Sequence, residues 1–229
     1  MRCLICLLIL LAGLGARAAE DWQSALSRMP LGGKVAQLNR TNCVKVMLNA
    51  FQSNDVVKAL VFMPGATDEF YMFRRAKASL TNDAPTLLDA VMALTNQTLI
   101  TVTFRPPLLL LHTAEDPLEP IMVIKDGPTA VRIEGRLFLP HALFNDNDWD
   151  YLLPILRKHL HVSFSPELHS IHSWHFYRHS FAGWNLNGWE ALEAIAMAGK
   201  SKFTVERRHV TFEGDPRMMA VPKFDHYPE

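Results

Sequence analysis

Two stretches of the chain repeat one order of apolar runs, prolines and helix-starting polar residues about a hundred positions apart. A repeat constrains a fold more than any single motif, because each copy must form the same local structure. The first copy holds Leu60–Pro64, Phe70–Leu80, Pro85–Leu94 and Leu99–Phe104; the second holds Val162–Pro166, Trp174–Phe181, Gly188–Ala198 and Phe203–Glu206. The offset is 102 at Phe62/Phe164 and 104 at Leu88/Leu192, a drift that one short loop insertion accounts for.

Each copy reads the same way. A short apolar strand stops at Pro64 or Pro166, because proline has no N–H to extend a ladder. An aromatic-rich strand follows. Leu87, Leu88, Val91 and Leu94, and Leu192 with Ile195, then fall at helical spacing. Asn82 or Asp83 in one copy and Asn187 in the other supply N-cap chemistry, with Asp89 and Glu190 in the first turns. Two further strands close each copy: Leu99–Phe104 with Leu108–His112, and Lys202–Glu206 with His209–Phe212. Upstream, Cys43–Phe51 and Trp149–Leu160 read as amphipathic helices. Residues 117–140 form the join, with a strand at Ile121–Ile124 and a turn at Asp126-Gly127-Pro128.

The amino terminus reads differently. Arg2 leads into an apolar run from Cys3 to Gly15 that ends in the small-residue site Ala16-Arg17-Ala18. That is the pattern of a secretory signal cleaved near Ala18 or Ala19. The run is shorter than the roughly 20 residues that cross a bilayer, so no stable membrane insertion is expected after cleavage. Cleavage removes Cys3 and Cys6 and leaves Cys43 as the one mature cysteine, which Val44, Val46, Met47 and Leu48 mark as a buried small hydrophobe. The balance of 23 Lys+Arg against 23 Asp+Glu argues against a nucleic-acid partner, which needs excess positive charge.

Phe164-Ser-Pro-Glu167, Asn185-Leu186, Glu190-Ala-Leu-Glu-Ala-Ile195 and Phe203-Thr-Val-Glu206 together resemble the short N-terminal domain of secretins and TonB-dependent receptors. The resemblance spans residues 146–213 and, more loosely, 42–112. It implies α+β modules of two helices on small mixed sheets that work by protein–protein contact in the bacterial envelope and carry no catalytic residues. The chain departs from the family pattern at Thr95-Asn-Gln-Thr98 and Gly199-Lys-Ser-Lys202, and again where Arg105-Pro-Pro107 and Arg207-Arg208 replace the hairpin Asp-Gly.

The residues themselves offer three chemistries. Arg and aromatic side chains anchor interfaces, so Phe70, Tyr71, Arg74 and Arg75, with Trp174, Tyr177 and Arg178, are the candidate docking residues. The edges of the sheets offer a second way to recruit a partner, by strand addition. His169, His172 and His175, within the cluster His159–His179, are the candidate ligands for Zn or Cu, although no His-Glu-x-x-His spacing occurs. A secreted hydrolase would draw on Ser163, Ser165, Ser170, Ser173 or Ser180 beside these histidines, or on acid pairs such as Glu190/Glu193, but Gly-x-Ser-x-Gly is absent.

The expectation is therefore an α+β protein of two tandem modules, residues 20–116 and 141–215, after a signal peptide at 1–19, with a join at 117–140 and a tail at 216–229. Its expected role is that of a non-enzymatic, periplasmic or secreted binding and assembly component with an envelope protein as partner. It is expected to need no cofactor. A periplasmic metal-binding protein and a secreted hydrolase are the alternatives.

Overall fold

The structure, a computed structural model, describes residues 22–39, 42–52, 54–63, 78–113, 118–125, 136–139, 154, 157–158, 162–164, 180–199 and 201–215. The expected signal segment, the tail and most of Trp149–Leu160 lie outside them. The elements are β1 Gln37–Leu38, α1 Cys43–Ala50, β2 Ala59–Phe62, β3 Ala78–Ser79, α2 Leu87–Gln97, β4 Thr101–Arg105, β5 Leu108–His112, β6 Met122–Ile124 and β7 Arg136–Leu139. They continue with β8 Ser163–Phe164, β9 Ser180–Asn187, α3 Gly188–Ala198, β10 Ser201–Glu206 and β11 His209–Gly214. The fold is α+β, with residues 22–27 forming a further helical stretch.

The helix starts fix how the two copies align. Thr86 Oγ1 accepts from Asp89 N while Asp89 accepts from Thr86 N; Asn187 and Glu190 make the same reciprocal pair. Such a box satisfies two N–H groups that the helix leaves unpaired. The two caps stand 101 positions apart (Thr86 to Asn187), and both helices have 11 residues. Leu88 therefore corresponds to Trp189, and Val91 to Leu192. Matching Leu88 with Leu192 by apolar spacing is three residues out, because a helix that is apolar on most sides offers several equivalent faces.

The strand pairings of the two stretches are alike. The β4–β5 hairpin is antiparallel and β5 lies parallel to β2; the β10–β11 hairpin is antiparallel and β11 lies parallel to β8. The full orders are β4-β5-β2-β9-β7 and β6-β10-β11-β8. Pairing nonetheless crosses the expected module boundary. β9, from the second copy, runs antiparallel to β2, with Ala59 opposite Gly183. The join supplies a strand to each sheet, β6 beside β10 and β7 beside β9. β9 also continues six residues past Phe181, the expected strand end, through Asn187. Within it Asn185 takes the left-handed conformation at φ 51°.

This exchange puts both faces of the five-stranded sheet in a core. Leu60, Phe62, Leu109, Leu111 and Ala182 pack under α1 and α2, and Trp22 closes on Phe104 with ring centroids 6.5 Å apart. Ala59, Val61, Leu108, Leu110 and Phe181 face the other way, onto α3. The opposite side of α3 rests on Phe203, Val205, Val210 and Phe212 of the second sheet. A helix between two sheets has almost no solvent side. Accordingly Ala196, Met197 and Ala198 are buried in α3 where α2 has the polar Thr95, Asn96 and Gln97. Each large apolar side chain buried here stabilises the fold by about 2 kcal/mol. Cys43 is fully buried, as its neighbours indicated, with its Sγ 3.8 Å from Met47 Sδ.

Candidate functional site

α3 carries two charged residues, Glu190 and Glu193, in a position closed in by two sheets, and a buried carboxylate needs a cation or a proton. Lys58, just before β2, lies 3.2 Å from Glu190 Oε1. Glu190 thus serves both the capping box and an ion pair to the five-stranded sheet. Arg105, at the end of β4, brings Nη2 within 2.6 Å of Glu193 Oε1. That approach is off the hydrogen-bonding direction and leaves the buried Oε1 without a hydrogen bond among the described residues.

The same guanidinium reaches a third element. Its Nη1 donates to the Leu118 carbonyl at 3.0 Å, and its Nε lies 4.0 Å from the exposed Glu119 carboxylate. Arg105 therefore fastens residues 118–119, the approach to β6, to both α3 and β4. Burial pushes the Glu193 carboxyl above the ordinary glutamate range; Arg105 opposes this, and the neighbouring Glu119 and Glu190 add to it.

Beyond this cluster the chain enters β6. Ile121 accepts from Phe203 N at 2.9 Å, and Lys125 N donates to Val205 at 3.3 Å, so β6 is zipped to β10 on one side. Among the described residues it is a terminal strand of its sheet. Met122 is 50% and Val123 39% exposed, although successive strand residues point to opposite faces. The outer face of this sheet is otherwise polar: Lys202 pairs across the strands with Glu213 at 2.8 Å, and Lys125 lies 3.7 Å from Glu206.

Ser163, a candidate nucleophile, meets a histidine at the edge of the second sheet. Its Oγ donates to the Arg208 carbonyl at 3.2 Å and lies 2.7 Å from His209 Nδ1. The contact fastens β8 to the hairpin turn, as does the Ser163 N–H donating to the same carbonyl at 2.8 Å. Cys43 is no nucleophile, since burial raises its thiol far above the range in which a thiolate forms.

Phe70, Tyr71, Arg74, Arg75, Trp174, Tyr177 and Arg178 lie outside the described residues, as do His169, His172 and His175. Among the described residues no three His, Cys, Asp or Glu side chains are placed to hold a metal ion. No helix of the described residues is long and apolar enough to cross a membrane. Lys58, Arg105 and Glu119 carried no motif and were missed by sequence reasoning. The signal that finds them is the pair of acids three apart on an otherwise apolar helix, which demands cations from whatever packs against it. No protein-family model, curated protein or solved structure matches the chain.

Proposed function

We propose that the protein is a non-enzymatic, exported binding and assembly component of the bacterial envelope, which takes up an extended segment of a partner protein along β6. The observation that carries this reading is the strand that is terminal among the described residues and exposes two successive large apolar side chains, Met122 and Val123; the other exposed ones, Met92 and Leu99, lie on α2 and just after it. A terminal strand offers one row of N–H and C=O groups to another chain, and natural sheets blunt such edges with charge or proline. Here the strand residues are Met-Val-Ile. The resemblance of the repeat to envelope contact modules and the signal-like amino terminus support the same reading, with strand addition as the mode of contact.

Photo-crosslinking in intact envelopes of the source cell tests it. A photoreactive residue at Val123 is expected to give a discrete adduct that one at the exposed Lys45 of α1 does not, and Met122→Lys is expected to abolish it. Equal adducts at both positions, or none at Val123, overturn the reading.

A further inference from the structure

We propose that the segment β6 takes up is β6 of a second copy of this chain, the two strands pairing antiparallel about a two-fold axis at Met122. The proposal rests on the reading of β6 as a strand-accepting edge and names its occupant. Two exposed residues set the geometry. Met122 stands beside Phe203, on the face that meets α3, and Val123 beside Thr204, on the opposite face. A partner lying on either face covers one of them; a strand arriving along the edge covers both.

The backbone decides which residues can meet. The Ile121 carbonyl and the Lys125 N–H are spent on β10. Strand residues direct their backbone groups to alternate sides, so the N–H and C=O of Met122 and Ile124 point away from β10. Met122 is thus placed to exchange both N–H···O bonds with the partner's Met122, and the Ile124 N–H to donate to the carbonyl of the partner's Pro120. Proline has no N–H to return, so the ladder ends there on either side.

In this register each residue faces one equally far from Met122 on the other strand. The two Met122 side chains meet on one face, and Val123 meets the partner's Ile121 on the other. Glu119 precedes Met122 by three positions and Lys125 follows it by three, so the acid before each strand comes beside the lysine after the other. Both are exposed, at 76% and 58%. Each also has a contact within its own copy, to Arg105 and to Glu206, and a carboxylate has acceptor sites for a second cation. Centring the pair on Val123 instead sets Lys125 opposite the partner's Ile121 and Glu119 opposite the partner's Gly127, matching no charge. The charges therefore select the two-fold at Met122. A two-fold consumes this edge in both copies, so the assembly closes as a dimer.

Sedimentation equilibrium of the purified protein over a concentration series tests the proposal. The expected result is a monomer–dimer equilibrium that Met122→Lys weakens by about tenfold or more, because it sets two lysines together at the two-fold. Glu119→Lys alone and Lys125→Glu alone are each expected to weaken the dimer by about fivefold. Mixing these two variants is expected to restore it, since each charge then meets its opposite on the other chain. A protein that remains monomeric overturns the proposal, as does a dimer that Met122→Lys leaves intact, or a failure of the two charge variants to pair when mixed. A monomeric protein whose Val123 still gives its adduct in envelopes accepts a strand of another protein, which overturns the second copy and leaves the edge reading standing. No dimer and no Val123 adduct overturn both.

Discussion

Leu110 and Thr211 stand at the same point of the same hairpin in the two copies, and Leu110 is fully buried while Thr211 is half-exposed. The difference is what lies above them. β5 is covered on both faces, by α2 and by α3, whereas among the described residues β11 is covered by α3 alone. Leu110→Thr is expected to cost about 3 kcal/mol, combining lost apolar burial with a hydroxyl that must find a partner in the core. Thr211→Leu is expected to change stability by no more than about 0.5 kcal/mol. Urea unfolding of both variants checks the asymmetry; equal costs would mean that the second sheet is covered on its outer face as well.

The capping boxes give a second comparison. Asn187 Oδ1 accepts from Glu190 N at 2.9 Å, while Thr86 Oγ1 accepts from Asp89 N at 3.3 Å. Asn187→Ala is expected to cost about 1 kcal/mol, and Thr86→Ala no more than that. Asn187→Asp is expected to keep most of the stability, because it retains the accepting oxygen. Thermal unfolding with both Ala variants in parallel distinguishes the two helix starts.

Gly183 sits where β9 crosses from one copy to the other, directly opposite Ala59. A Cβ built there lies 2.5 Å from Leu186 Cδ1 and 3.5 Å from the Ala59 Cβ. Leu186 is fully buried and has little room to retreat. Gly183→Ala is therefore expected to destabilise by about 1–3 kcal/mol through overpacking. Gly183→Ala combined with Leu186→Val is expected to recover part of the loss, which a double-mutant cycle measures.

The particulars show what the sequence carried. The α+β class and the hairpins were legible because alternation in Phe203-Thr-Val-Glu206 and periodicity in Leu87–Leu94 are local signals. The exchange of β9 was not, since strand pairing is decided between distant segments and Phe181-Ala-Gly183 suits either sheet. A clue lay in the copies' differences: Leu108 and Leu110 against His209 and Thr211 state that one sheet is buried twice. The ionic cluster was half legible. Glu190 and Glu193 were visible as a pair, but Arg105 and Lys58 reach them from elements distant in the chain, and only the fold brings them together.

Arg207, at the tip of the β10–β11 hairpin, has φ 53°, a conformation that costs a side-chain-bearing residue about 1 kcal/mol or more relative to glycine. Arg207→Gly is expected to raise stability by up to about 1 kcal/mol, less the extra freedom glycine gives the unfolded chain. The corresponding turn of the first copy, Pro106-Pro107, reaches the same two-residue connection with fixed proline φ values. Chemical denaturation of Arg207→Gly checks the sign. A loss would show that the Arg207 side chain supplies more than its backbone strain removes.

Glu193 also makes a prediction for global stability. Its folded-state carboxyl is held above the ordinary glutamate range by burial, with Glu119 and Glu190 adding to the effect and Arg105 opposing it. The folded protein therefore binds this proton more tightly than the unfolded chain does. The contribution is fully present below the ordinary glutamate value and is lost as pH rises through the raised folded value. Glu193→Gln is then expected to be more stable than the parent at pH 7, with the difference shrinking as pH falls towards about 4.5. Comparing urea midpoints of the two proteins across that range cancels the other carboxylates, which titrate alike in both. A difference that instead grows on acidification would place the stabilising contribution in the ionised Glu193–Arg105 pair.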